Sequence, residues 1–300
     1  MIPRMILAAA LLAAAAAPAF AATPIDETRP LAADGRVSIE NLKGRIVVRA
    51  WDRPEVHIGG TLGDGVEKLA IGGSASSLSI EVEYPQSGWF FGRRDGGEPS
   101  MLELRVPAGA SVSIDAVSAD VDVSGMRGAL LEVDAVSGDI TLRDIAPREL
   151  RIDSVSGDVD ARGDTRDLKI DTVSGDVTVS GNVRGRVAID VVSGDVEVDA
   201  GTLDRLSFGS VSGDAELRLS LAPGGLVRAD AVSGNITLSL PATTSARLAM
   251  ETFSGRLTSP VGQVVKEEFG PGSHLNASLG DGDGDIRLES FSGNVRVDIR

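Results

Sequence analysis

Five aspartates close five consecutive copies of one tetrapeptide, Val-Ser-Gly-Asp. They are Asp139, Asp158, Asp176, Asp195 and Asp214. A second set, Asp115, Asp134, Asp153, Asp171 and Asp190, keeps a similar spacing. Carboxylates stacked about 5 Å apart in water repel by about 0.8 kcal/mol per neighbouring pair, so something must offset the repulsion. A hard cation would, because such ions take carboxylate oxygens. The competing account is local: an Asp after Ser-Gly hydrogen-bonds nearby backbone at a turn. Asn235 and Asn294 replace the Asp in later copies and keep turn chemistry without the charge, while Arg256 keeps neither. The calcium repeat Gly-Gly-x-Gly-x-Asp is absent. The turn reading is therefore preferred, with the five tetrapeptide aspartates retained as cation candidates.

Other chemistry-bearing stretches are fewer. Asp281-Gly282-Asp283-Gly284-Asp285 opens like an EF-hand loop, but Ile286 stands where Gly is needed and Ser292 where Glu is needed. It reads as a tight acidic turn. Trp89, Phe90 and Phe91 stand together beside Arg93 and Arg94 in a Gly-rich break. Three consecutive apolar residues cannot all face one strand core. They either plug the end of a coil or offer an aromatic surface to a partner, a glycan or a membrane interface. Catalytic signatures are lacking. His57 and His274 lie in no motif, there is no Cys, and Val-Ser-Gly-Asp is not a Gly-x-Ser-x-Gly elbow. Arg162-Gly163-Asp164 is a chance-length match to an integrin tripeptide. No cofactor is expected.

The elements that position these residues follow from the repeat. Val117, Val136, Val155, Val173, Val192, Val211, Val232, Phe253 and Phe291 open successive copies at intervals of 18 to 21 residues, with a final interval of 38. Such a period predicts a solenoid. The expected fold is all-β, a single-stranded parallel β-helix or β-roll with coils of about 19 residues. Within Leu168 to Val179, Leu168 and Ile170 alternate with Lys169 and Asp171 as a half-buried strand does. A change of parity near Asp171-Thr172 then places Val173, Gly175, Val177 and Val179 inward. Each coil would be strand, corner, strand and a looser return. Residues 35–109 read as irregular N-terminal coils, 110–240 as regular repeats, and 241–300 as C-terminal coils and a cap. Val264 to Phe269 would cover the open end. No extended helical period appears.

Residues 1–21 have the form of a secretory signal: Arg4, an Ala-rich apolar run and an Ala19-Phe20-Ala21 cleavage site. Residues 22–34 read as a leader. No later stretch is apolar enough to span a bilayer as a helix, so no transmembrane anchor is expected after signal removal. Nothing after Ile299 offers a translocator barrel, which argues against an autotransporter. The net charge is −15, opposing nucleic-acid binding and docking on anionic lipid. Without Cys, stability rests on burial and ladder hydrogen bonds.

The Val-Ser-Gly-Asp-Val repeats carry a family likeness, together with the opening Val37-Ser38-Ile39-Glu40-Asn41-Leu42-Lys43-Gly44-Arg45-Ile46 and the closing Gly284 to Val295. Over residues 35 to 299 the chain resembles the bacterial putative-adhesin family of exported β-strand-repeat proteins, a domain of unknown function. The resemblance implies a β-helix or β-roll in the cell envelope, with some relatives beside envelope-stress regulators. It supplies no catalytic residues. The expectation is an exported, periplasmic or cell-surface, non-enzymatic scaffold with an envelope protein or glycan as partner. The alternative is a carbohydrate-active β-helix enzyme, a polysaccharide lyase or hydrolase.

Overall fold

A computed structural model describes residues 23–85, 98–268 and 270–300. The signal-type segment and the Trp89–Arg94 cluster lie outside the described residues. Among the described residues there is no helix, and the strands form one continuous, mainly parallel, all-β stack.

One repeat shows how the sequence builds it. Asp167–Ser174 and Val177–Gly181 are strands on two walls that meet at a corner. Asp167–Ser174 pairs in parallel with Glu149–Ser156 on one side and Gly185–Ser193 on the other. Val177–Gly181 lies between Val159–Gly163 and Val196–Ser212. Like therefore stacks on like: Val133, Ile152, Ile170 and Ile189 form one buried column. Phe208 continues that column and is followed by Ala229, so a large side chain is matched by a small one. Each fully buried Val, Ile or Leu contributes about 1.5–3 kcal/mol, and a coil gains it only when neighbours cover its face.

The corner differs from its sequence reading. Alternation runs unbroken through Thr172, so Leu168, Ile170 and Thr172 point inward while Asp171 and Val173 point outward. The parity change falls within Ser174-Gly175-Asp176, after which Val177 and Val179 are again buried. Val173 is thus not a core residue; it is 48% exposed. Gly175 makes the corner. Its φ is 130°, and a Cβ there would lie 2.2 Å from the Gly157 carbonyl oxygen. No side chain fits so close an approach between coils.

Both ends of the stack depart from chain order. The strand Arg36–Trp51 sits between Ser111–Ser124 on one side and a composite of Ser77–Glu83 and Ser100–Pro107 on the other. Gly284–Ser292 is likewise inserted between Ala215–Ser233 and Ala246–Ser254. The spatial sequence of corner residues is therefore Val232, Phe291, Phe253, which accounts for the long final interval. Antiparallel strands finish each end. Lys68–Ser74 lies on Ser77–Glu83, Glu55–Leu62 on Ser100–Pro107, and Ser273–Leu279 on Ala246–Ser254, with Val265–Lys266 outermost. Thr23–Pro30, read in the sequence as leader, is an edge strand paired with Glu55–Leu62. Its Pro24 and Pro30 suit an edge, where missing donors cost little.

Candidate functional site: an acidic and apolar groove

The tetrapeptide aspartates form a ladder along the corner. Asp139 Oδ1 accepts the backbone N–H of Asp158 at 3.1 Å, and Asp158 Oδ1 accepts that of Asp176 at 2.9 Å. Asp176 and Asp195 accept from Asp195 and Asp214, each at 2.8 Å. The ladder follows space and not chain order: Asp214 accepts from Asn235, Asn235 from Asn294, and Asn294 from Arg256. This explains the substitutions. Asn supplies the same acceptor oxygen. Arg256 stands on the last coil of the corner ladder and donates without having to accept. These carboxylates are employed in stacking, and among the described residues no cluster of His, Cys, Asp or Glu is arranged around a metal position. Asp281 to Asp285 is the turn into the inserted coil. Arg247 binds Asp285 with two contacts of 2.8 Å and holds its carboxyl below the usual range, while Ser245 pairs with Asp283 at 3.2 Å.

The other acidic column has a different environment. Glu81, Glu40, Asp115, Asp134, Asp153, Asp171 and Asp190 stand in register on the outer face of one wall. Gly209 interrupts the column, and Asp230, Glu289 and Glu251 continue it. Burial, followed by the charges of Asp153, Asp115 and Glu132, pushes Asp134 up to about 6. Partial burial raises Glu40, Asp115, Asp153 and Asp190 as well, with neighbouring carboxylates adding to it. Lys169 pairs with Asp171 and Arg228 with Asp230, so the column is partly neutralised from the same wall.

From Glu40 onward, two residues beyond each position of the column, Gly209 included, stands an exposed apolar side chain. Leu42, seven valines from Val117 to Val232, Phe291 and Phe253 form a file of ten, each 44–59% exposed. Phe253 and Phe291 stack at 4.9 Å with planes 6° apart. Between acid and apolar columns lie Asn41, Ala116, Ala135, Ser154, Thr172, Val191, Ser210 and Ala231, buried and mostly small, at the inside of the bend. In the same column the hydroxyls of Thr252 and Ser290 donate to the carbonyls of Gly293 and Gly234. The result is a groove of about 1690 Å³ along the stack, carboxylates on one side and apolar groups on the other.

Sequence reasoning singled out both aspartate columns but not this groove, because the tetrapeptide Val was assigned to the core. One signal was available. At the position before that Val, the copies carry Ala, Ser, Thr or Val, sizes suited to a tight interior. At the Val itself, two copies carry Phe, which an interior bend would not hold.

Comparison with known proteins finds several solved structures of low similarity and one matching family model. A putative adhesin from Bacteroides fragilis aligns over 93% of this chain and 97% of its own, at 11% identity and a TM-score of 0.43. A putative lipid binding protein from Parabacteroides distasonis covers 92% and 96%, at 11% identity and 0.40. A putative cell adhesion protein from Clostridium sporogenes covers 93% and 100%, at 9% and 0.27. No curated protein matches. The model of the Toastrack DUF4097 family matches residues 35–298, and the chain belongs to that family.

Proposed function

We propose that this chain is an exported, non-enzymatic interaction scaffold of the cell envelope, built on coils of about 19 residues, whose working face is the groove. The observation that carries the reading is the file of ten half-exposed apolar side chains. A contiguous apolar surface of this length needs a use, since a soluble chain gains nothing from exposing it. The signal-type segment supports export, and the family resemblance supports a link to envelope stress. A photo-crosslinking residue at Val173, in the groove, should capture a defined envelope component that the same residue at Thr178, exposed on the adjoining wall, does not. Equal capture at both positions would overturn the reading.

One observation favours the enzymatic alternative. Asp134 and Asp153 are adjacent carboxyls, both raised by partial burial and by neighbouring carboxylates, and glycoside hydrolases work with a pair of carboxyls. Against it, the pair belongs to a regular column, whereas catalytic groups interrupt a repeat. Release of reducing ends or unsaturated products from acidic or neutral polysaccharides, abolished by Asp134→Asn, would establish the enzyme.

A further inference from the structure

We infer that the occupant of the groove is a cationic amphipathic helix of a partner protein, with its apolar stripe on the valine file and its Lys or Arg flank on the carboxylate column. This rests on the reading of the groove as the binding face. Three features of the groove select that chemistry.

The first is charge. One side of the groove is acidic along its length, interrupted at Gly209, and the chain carries a net charge of −15. Burial and mutual repulsion raise Asp134 and its neighbours, and the opposite charge of an approaching ammonium or guanidinium offsets that by favouring the ionised carboxylates. A second copy of this chain would bring carboxylates against carboxylates, and an anionic bilayer or nucleic acid would meet the same repulsion.

The second is the direction of the groove. It runs across the strands, whose backbone groups are already paired with the coils above and below. An extended peptide laid along it would find no backbone ladder to join, and its own N–H and C=O groups would face an apolar file. A helix satisfies its backbone internally and needs only side-chain contact.

The third is spacing. Coils repeat at about 4.8 Å and helical turns at about 5.4 Å. The mismatch of about 0.6 Å per turn keeps one apolar side chain per coil for about four turns. The acid and apolar columns are two residues apart on a strand, about 7 Å, so a Lys or Arg stem can cross the apolar file and reach a carboxylate. Ten apolar positions span about 43 Å, room for a helix of up to about 29 residues.

The test uses the full exported chain and a designed peptide of about 18 residues, long enough to hold a helix. Leu occupies one stripe and Lys one flank; comparison peptides carry Glu for Lys, or the same residues scrambled. Fluorescence anisotropy should show binding of the Lys peptide only, weakened by added salt as surface charge pairs are. Val155→Ser/Val173→Ser and Asp134→Asn/Asp153→Asn should each weaken it at least about tenfold, and Thr178→Ala should not. Equal binding of the scrambled or Glu peptide, or insensitivity to both pairs of changes, overturns the helix. So does groove-dependent binding to phosphatidylglycerol vesicles or self-association in sedimentation, in place of peptide binding. If crosslinks at Val173 still capture a partner while the Lys peptide fails, the groove stands and the occupant's chemistry is wrong. If the crosslinks fail as well, the binding face itself is misassigned.

Discussion

Replacing Asp134 by Asn should stabilise the protein at neutral pH and not at acid pH. Asp134 rises from 3.8 to about 6 in the fold, through burial first and its carboxylate neighbours second. A carboxyl with a raised folded pKa holds its proton more tightly folded than unfolded. It therefore favours the fold at low pH, and that stabilisation is lost as pH rises from about 4 through about 6. At full strength the rise corresponds to about 3 kcal/mol. The carboxylate is only partly buried and keeps much of its hydration, so about 1 kcal/mol is the working figure. Asn keeps the shape and cannot ionise. In a chain of this size 1 kcal/mol moves Tm by about 2 °C. Thermal unfolding at pH 7.5 should place Asp134→Asn about 2 °C above the parent, with the gap closing by pH 4. An equal shift of Tm at both pH values, or a loss at pH 7.5, would refute the account of the column.

Three further outcomes follow from the corner. Gly175→Ala combines a φ of 130° with a Cβ 2.2 Å from the Gly157 oxygen; it should cost about 3 kcal/mol or more in urea unfolding. Asp195→Ala removes the acceptor for the Asp214 N–H and should cost about 0.5–1.5 kcal/mol, with Asp195→Asn close to neutral. Val155→Ser/Val173→Ser, changing only half-exposed side chains, should alter stability by less than about 0.5 kcal/mol per site, whereas a core role would cost several times more.

The repeat was legible because a stack places like on like: the column Val133, Ile152, Ile170, Ile189 is visible as a sequence period before any coordinates. The strand-corner-strand plan was legible for the same reason. The exact residue of the corner was not. Thr172 and Val173 are both β-branched, and alternation can be continued through either. What decides is the tight inside of the bend, which admits Ala, Ser, Thr or Val and puts the tetrapeptide Val outside. The groove went unseen with it. The role of the aspartate ladder was readable from Asn235 and Asn294, whereas Arg256 made sense only once it was seen on the outer coil. The insertion of Gly284–Ser292 between two earlier coils left no mark on local pattern, because strand propensity and alternation are the same whichever neighbour a strand joins.

That insertion, with its counterpart at Arg36–Trp51, changes how the solenoid must assemble and come apart. In a simple stack, coils can add or fray one at a time from the end, each step costing one interface. Here the coils Arg36–Trp51 and Gly284–Ser292 are each held on both faces, and the strands that cover them come from segments further inside the sequence. Removing residues 284–300 would not shorten the stack by one layer; it would separate Ala246–Ser254 and its antiparallel cover from everything below. A chain emerging N-terminus first must hold Arg36–Trp51 unsettled until residues up to 124 arrive to flank it. Folding at both ends waits on contacts distant in sequence, and unfolding should proceed in multi-coil blocks instead of single layers.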